Sequence, residues 1–158
     1  MNKKITKLII SLVGCQLAGI IGSFFTAPSI STWYAVLEKP SFVPPSWLFA
    51  PAWILLYLLM GISAYLMWTK GFEKKEVREA LMVFALQLIL NTIWSVLFFG
   101  LQSPLYGFVE IIFLWLAILF TILKFYPISR KAAYLLIPYI IWVSFAALLN
   151  FSILMLNG

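Results

Sequence analysis

The run Pro104-Leu-Tyr-Gly-Phe-Val-Glu110-Ile-Ile-Phe-Leu-Trp-Leu-Ala-Ile-Leu-Phe-Thr-Ile-Leu-Lys124-Phe125 carries one acid and, near its far end, one base among side chains that are almost all apolar. A helix needs about 20 such residues to cross a hydrocarbon layer. Outward from this run, four more stretches meet that length, at roughly 5–26, 46–69, 80–101 and 132–156. The sequence therefore predicts an all-α integral membrane protein, one domain over residues 1–158, built as a bundle of five transmembrane helices. Composition points the same way. The chain is 64% hydrophobic and 10% charged, with a mean hydropathy of +1.04, more apolar side chain than a soluble domain of this size hides.

The breaks between spans fall at Pro28 with Ser29 and Ser31, at the charged run Lys70 to Glu79, at Gln102-Ser103-Pro104, and at Pro127 to Lys131. Leu101 to Tyr106 holds no charge, so the third and fourth spans are expected to form a tight hairpin that barely leaves the membrane. The first span follows Lys3, Lys4 and Lys7 but has a long core and no small-x-small cleavage pattern. It is expected to be retained rather than removed as a signal peptide. Ten of the eleven Lys and Arg lie on the N-terminal side, and only Lys39 lies opposite. The positive-inside rule then expects a cytoplasmic N-terminus and an external C-terminus.

Several function classes drop out. The net charge of +6 comes from bases dispersed between apolar runs, not from a clustered phosphate-binding face, so no nucleic acid is expected. Histidine is absent, which removes His-ligated metals and His-dependent nucleophiles; no metal and no cofactor are expected. Cys15 stands alone in an apolar run, so no intrachain disulfide forms. No acid/base pair is visible for hydrolytic chemistry. Five spans without an inverted repeat, holding one intramembrane acid, argue poorly for a coupled carrier.

Between the first two spans, about 27–46, runs Ala27-Pro-Ser-Ile-Ser-Thr-Trp33-Tyr34-Ala-Val-Leu37-Glu-Lys39-Pro40-Ser-Phe42-Val-Pro44-Pro45-Ser-Trp47, which is long for such a connection. Its prolines lower the cost of ordering it. Trp33, Tyr34, Phe42 and Trp47 serve either as a lid over the bundle or as anchors at headgroup depth, and both readings stand here.

Helical spacing places Trp53, Tyr57, Gly61, Tyr65 and Trp68 on one face of the second span. Gln87, Asn91, Trp94 and Phe98 share a face of the third, and Tyr139, Trp142, Ala146 and Asn150 a face of the fifth. Polar groups in hydrocarbon need partners, so these faces turn toward one another. They either tie helices together by hydrogen bonds or line an apolar cavity with a few orienting groups. Gly14, Ala18 and Gly22 on the first span serve tight packing within the chain or a homodimer contact. Glu110 is a functional candidate as the sole intramembrane carboxylate, or else a side chain reaching interfacial water near a helix N-terminus. Pro138 is expected to kink the fifth span beside Tyr139 and Trp142 and so widen any cavity there.

The string Trp33-Tyr34-x-x-Leu37-x-Lys39-Pro40-Ser41-Phe42-x-Pro44-Pro45-x-Trp47, followed by Pro51-x-Trp53-x-x-Leu56-Tyr57, resembles the signature of the translocator (tryptophan-rich sensory protein) family, formerly the peripheral benzodiazepine receptors. Gln87-Leu88-x-Leu90-Asn91-x-x-Trp94, Phe98-Phe99-Gly100, and Pro138-Tyr139-x-x-Trp142-x-x-Phe145-Ala146-x-x-Leu149-Asn150 agree in order and spacing. The resemblance implies a membrane sensor that binds flat hydrophobic ligands. These are chiefly tetrapyrroles such as protoporphyrin and haem-related pigments, with isoquinoline and benzodiazepine drugs and membrane lipid as further partners. The implied site lies between spans one, two, three and five beneath the loop, and takes Trp33, Tyr34, Leu37, Lys39, Pro44, Trp47, Trp53, Tyr57, Gln87, Asn91, Trp94, Tyr139, Trp142, Phe145, Ala146, Leu149 and Asn150. Lys39 is matched to a propionate. An alternative activity proposed for such proteins, light-dependent porphyrin degradation, would use Trp53 and Trp142; porphyrin or lipid transport is a third. The cholesterol motif of animal members needs a Tyr and a base after the position of Leu149-Asn150, whereas this chain continues Phe151-Ser-Ile-Leu-Met-Leu-Asn-Gly158. That departure, with no transit peptide, makes a bacterial cell-envelope protein the expectation.

Overall fold

A helix end leaves backbone N–H groups unpaired, and the sequence supplies caps at several of them. Asn2 Oδ1 accepts from Lys4 N at 3.0 Å, Ser103 Oγ from Tyr106 N at 3.2 Å, and Ser129 Oγ from Ala132 N at 3.3 Å. The computed structural model describes residues 2–158, and among them there is no strand. The helices are α1 (Lys3–Ile30), α2 (Trp33–Val36), α3 (Ser46–Trp68), α4 (Lys75–Ser95), α5 (Pro104–Phe125), α6 (Arg130–Leu135) and α7 (Ile137–Asn157). A π-helical turn, Val96–Gly100, continues α4. By length and composition they give five membrane spans, with α4 and the π turn forming the third and α6 with α7 the fifth.

Two boundaries differ by several residues from the sequence reading. Pro28 does not end the first span, which runs on to Ile30. Thr32 Oγ1 donates to Pro28 O at 2.8 Å, and Ser29 Oγ donates to Phe99 O at 2.8 Å, so hydroxyls hold the last turn despite the missing proline N–H. The connection expected at 27–46 is thus shortened to Ser31–Pro45, and it contains α2. The third span starts at Lys75 rather than near 80, because Val77 and Ala80 are fully buried and draw the charged segment into the helix. Glu76 suits the helix N-terminus, and Lys75 pairs with Glu79 at 3.7 Å.

The third and fourth spans meet in a short hairpin, Leu101–Ser103, in which Gln102 adopts the left-handed φ of 53°. In the fifth span the expected disturbance at Pro138 takes the form of a break at Leu136. It leaves Pro138 in the first turn of α7, where no N–H is required of it.

Close helix approach is set by small residues. A Cβ on Gly61 would lie 2.9 Å from Leu12 Cα, so α1 and α3 touch backbone to backbone there. Ala18 O accepts from Thr92 Oγ1 at 3.2 Å, and a Cβ on Gly22 would stand 3.1 Å from Ser95 Oγ. Ala18 and Gly22 therefore pack within the chain against α4. Gly14 is exposed, with nothing within 4 Å of its added Cβ. Ser63 Oγ donates to Ala132 O at 2.7 Å, joining α3 to α6, and Trp115 Nε1 donates to Ser144 Oγ at 2.8 Å, joining α5 to α7. Met60, Met67, Ile118, Phe125 and Val143 fill the interior. The outer stripe of α5, including Val109, Ile112, Phe113, Leu116 and Phe120, is exposed, as suits contact with acyl chains.

Candidate ligand-binding cavity

The three predicted faces converge, but at different depths. Farther in, the polar groups satisfy one another. The Tyr57 hydroxyl donates to Asn91 Oδ1, Asn91 Nδ2 donates to Tyr139 Oη at 2.7 Å, and Tyr139 Oη donates to Gln87 Oε1 at 2.8 Å. This chain ties α3, α4 and α7 together. Tyr139 is 1% exposed and Gln87 is equally buried, and neither is in the wall of the adjoining cavity, whereas Trp142 is.

Adjoining this chain lies a cavity of about 480 Å³, lined by residues of α1, α2, α3, α4, the π turn and α7. Trp53, Tyr57, Asn91, Trp94, Trp142, Ala146, Leu149 and Asn150 from the predicted set contribute to its wall, and Tyr34 descends from the loop. The Trp53 and Trp142 rings stand 6.4 Å apart at 85°. Trp94 stacks on Phe98 at 5.0 Å while its Nε1 donates to Asn150 Oδ1 at 3.1 Å; Asn150 Nδ2 in turn donates to Pro104 O at 2.9 Å. The amides that reach the wall are thus already engaged in joining helices. What they leave to a ligand is an aromatic and aliphatic surface.

The connection between α1 and α3 covers one end of the bundle as a lid with some of its residues and leaves others, Phe42 and Trp47 among them, exposed. Trp33 packs edge-on to Phe98 at 5.4 Å and Phe99 at 6.5 Å, Tyr34 is buried, and Leu37 packs on the same cluster. Burial raises the Tyr34 phenol above its ordinary pKa. Lys39 Nζ lies over the Tyr34 ring at 4.6 Å and donates to Leu37 O at 3.0 Å. Glu38 N donates to Asn157 Oδ1 at 3.0 Å, and Asn157 Nδ2 returns a bond to Glu38 O at 2.8 Å, latching the lid to the end of α7. Trp33, Leu37 and Lys39 stop short of the cavity. Trp47, 72% exposed, points away from it, and Pro44 and Phe145 line a shallow apolar depression on the outer surface instead.

Residues of α1 supply much of the wall, among them Gln16, Ile20, Ser23 and Thr26, and none was singled out as a ligand contact from sequence. Ser23, with Gly19, belongs to a small-residue stripe of that helix, Ser11, Cys15, Gly19 and Ser23, which reads as packing until a partner is known, and Gln16, Ile20 and Thr26 carry no comparable signal. Phe99 belongs to the motif Phe98-Phe99-Gly100 and joins the wall where the π turn brings Phe98 and Phe99 together, rings 4.8 Å apart. Glu110 does not reach interfacial water: it is 7% exposed, and neither carboxyl oxygen has a hydrogen-bond partner among the described residues.

Residues 11–156 match the TspO/MBR family. The chain is similar to the tryptophan-rich protein TspO of Archaeoglobus fulgidus, 52% identical over 98% of this chain and 99% of that one. It is 46% identical to the tryptophan-rich protein TspO of Chlorobaculum tepidum over 99% of each. The translocator protein of Homo sapiens is 36% identical over 89% of this chain and 82% of its own. With a family match over nearly the whole length and relatives of similar extent, this multi-pass membrane chain belongs to the TspO/MBR family.

Proposed function

We propose that the cavity binds flat, hydrophobic small molecules, chiefly tetrapyrroles such as protoporphyrin, and that the protein acts as a membrane binding protein or sensor for them. The observation that carries this reading is a volume of about 480 Å³ walled by Trp53, Trp94, Trp142, Tyr34 and Tyr57, whose neighbouring amides are already paired. Ligand pockets commonly span roughly 300–1,000 Å³ and are mostly apolar. Such a wall recognises an extended π surface by shape and stacking rather than by hydrogen bonds, which also accommodates isoquinoline- or benzodiazepine-type drugs. Lys39, the sole basic residue on its side of the sequence, supplies a counter-charge for propionates at the lid. The bias of the remaining Lys and Arg supports an orientation with the lid outside and the N-terminus cytoplasmic.

A second reading, light-dependent pigment degradation, is favoured by one specific contact: the perpendicular Trp53 and Trp142 rings border the same space. One experiment addresses both. Detergent-solubilised protein is titrated with protoporphyrin in the dark while tryptophan emission is followed, and the pigment spectrum is then recorded under illumination, beside a Trp53→Phe/Trp142→Phe double variant. Saturable quenching with an intact spectrum supports binding. Light-dependent pigment loss that vanishes in the variant supports degradation, and unsaturable quenching removes both.

A further inference from the structure

We propose that ligand enters this cavity sideways from the bilayer, through a slot between α1 and α3, rather than through the lid; this rests on the ligand-binding reading above. Every exposed residue of the cavity wall lies on those two helices. On α1 they are Ile20, Ser23, Ala27 and Ile30, and on α3 Ser46, Ala50 and Ile54, spaced by three or four residues so that each set forms one edge. The wall residues of α2, α4, the π turn and α7 are buried or half-buried.

The slot has a definite floor. At the floor Gln16 Nε2 donates to Ile54 O at 3.2 Å, and farther on Gly61 meets Leu12, so the helices close against each other. Toward the lid the edges carry the small residues Ser23, Ala27, Ser46 and Ala50, with Ile30 the one large side chain beside them. At 1.5 Å per residue, Ile54 lies about 12 Å below the start of α3 and Ile20 about 15 Å below the end of α1. The slot therefore spans about half of a hydrocarbon layer roughly 30 Å thick. The roof is fastened to the bundle where Glu38 bonds Asn157 and where Trp33 packs on Phe98 and Phe99, and Ser29 at the end of α1 bonds Phe99 O beside it. Molecules dissolved in the acyl chains meet an open edge, and those in water meet a latched one.

The test is stopped-flow binding of protoporphyrin to the full chain in lipid nanodiscs, comparing Ala50→Trp with Asn157→Ala. A bulky ring in the sole route raises the barrier in both directions, so Ala50→Trp lowers association and dissociation rates together, by about tenfold, whereas a lost contact would raise dissociation alone. Unchanged rates in Ala50→Trp overturn the proposal, and faster rates in Asn157→Ala would then assign the route to the lid. A second arm needs no ligand: a spin label on Ser23→Cys collides with oxygen more than with a water-soluble nickel chelate if the slot opens into hydrocarbon. The reverse order places it in water and overturns the lateral route. Absence of saturable protoporphyrin binding defeats the functional reading instead, and the spin-label arm still decides where the slot opens.

Discussion

Gly61 sets how closely α1 and α3 approach, since an added Cβ would stand 2.9 Å from Leu12 Cα and 3.2 Å from Ser11 O. Backbone cannot swing aside as a flexible side chain can, so Gly61→Ala is expected to destabilise by about 1–3 kcal/mol. Gly14→Ala, with open space around it, should stay within about 0.5 kcal/mol; thermal unfolding in one detergent compares the two. If Gly14→Ala proved the costlier, the stripe would face a neighbour outside the chain. Tyr139→Phe removes one hydroxyl that both accepts from Asn91 and donates to Gln87. It should cost about 1–3 kcal/mol because two buried groups lose their partner, and the same unfolding measurement checks it. The inward face of Tyr139 and Gln87 was legible in the sequence, because helical spacing fixes direction. Their depth was not, since spacing does not say where neighbouring side chains leave a void.

Besides the packing of Trp33 and Tyr34 on Phe98 and Phe99, the lid is held by Asn157, 119 positions away from Glu38 in the chain. Asn157→Ala is expected to speed amide exchange around Glu38 in hydrogen–deuterium exchange while leaving α4 and α5 unchanged, because it deletes two hydrogen bonds at one edge of the lid. Equal protection in the variant would mean that the aromatic packing of Trp33 and Tyr34 suffices alone. The start of α5 was legible because a local signal caps it: the helix begins at Pro104 behind the Ser103 cap, as expected. Boundaries were illegible where a distant group intervenes. Pro28 reads as a stop until Phe99 O is seen to accept from Ser29, and the π turn at Val96–Gly100 has no simple composition that announces it.

For the whole molecule, five spans follow from apolar length alone, and the family is legible because its aromatic and proline spacing is preserved from Trp33 to Asn150. The proposed orientation predicts that a thiol at Ser41→Cys reacts with a membrane-impermeant maleimide in intact cells, whereas Glu73→Cys reacts only after permeabilisation; Cys15, 2% exposed, adds little background. The reverse pattern would invert the topology. The central claim is that a flat hydrophobic ligand occupies the space beside Trp53 and Trp142. The most direct measurement is dark titration of tryptophan emission with protoporphyrin in the wild type and in Ala146→Ile, which adds carbons to the α7 wall of that space. Saturable one-to-one quenching is expected in the wild type, with affinity at least about tenfold weaker in the variant, a change of roughly 1.4 kcal/mol. Equal affinity in a variant that remains folded would place the ligand elsewhere than beside Trp53 and Trp142.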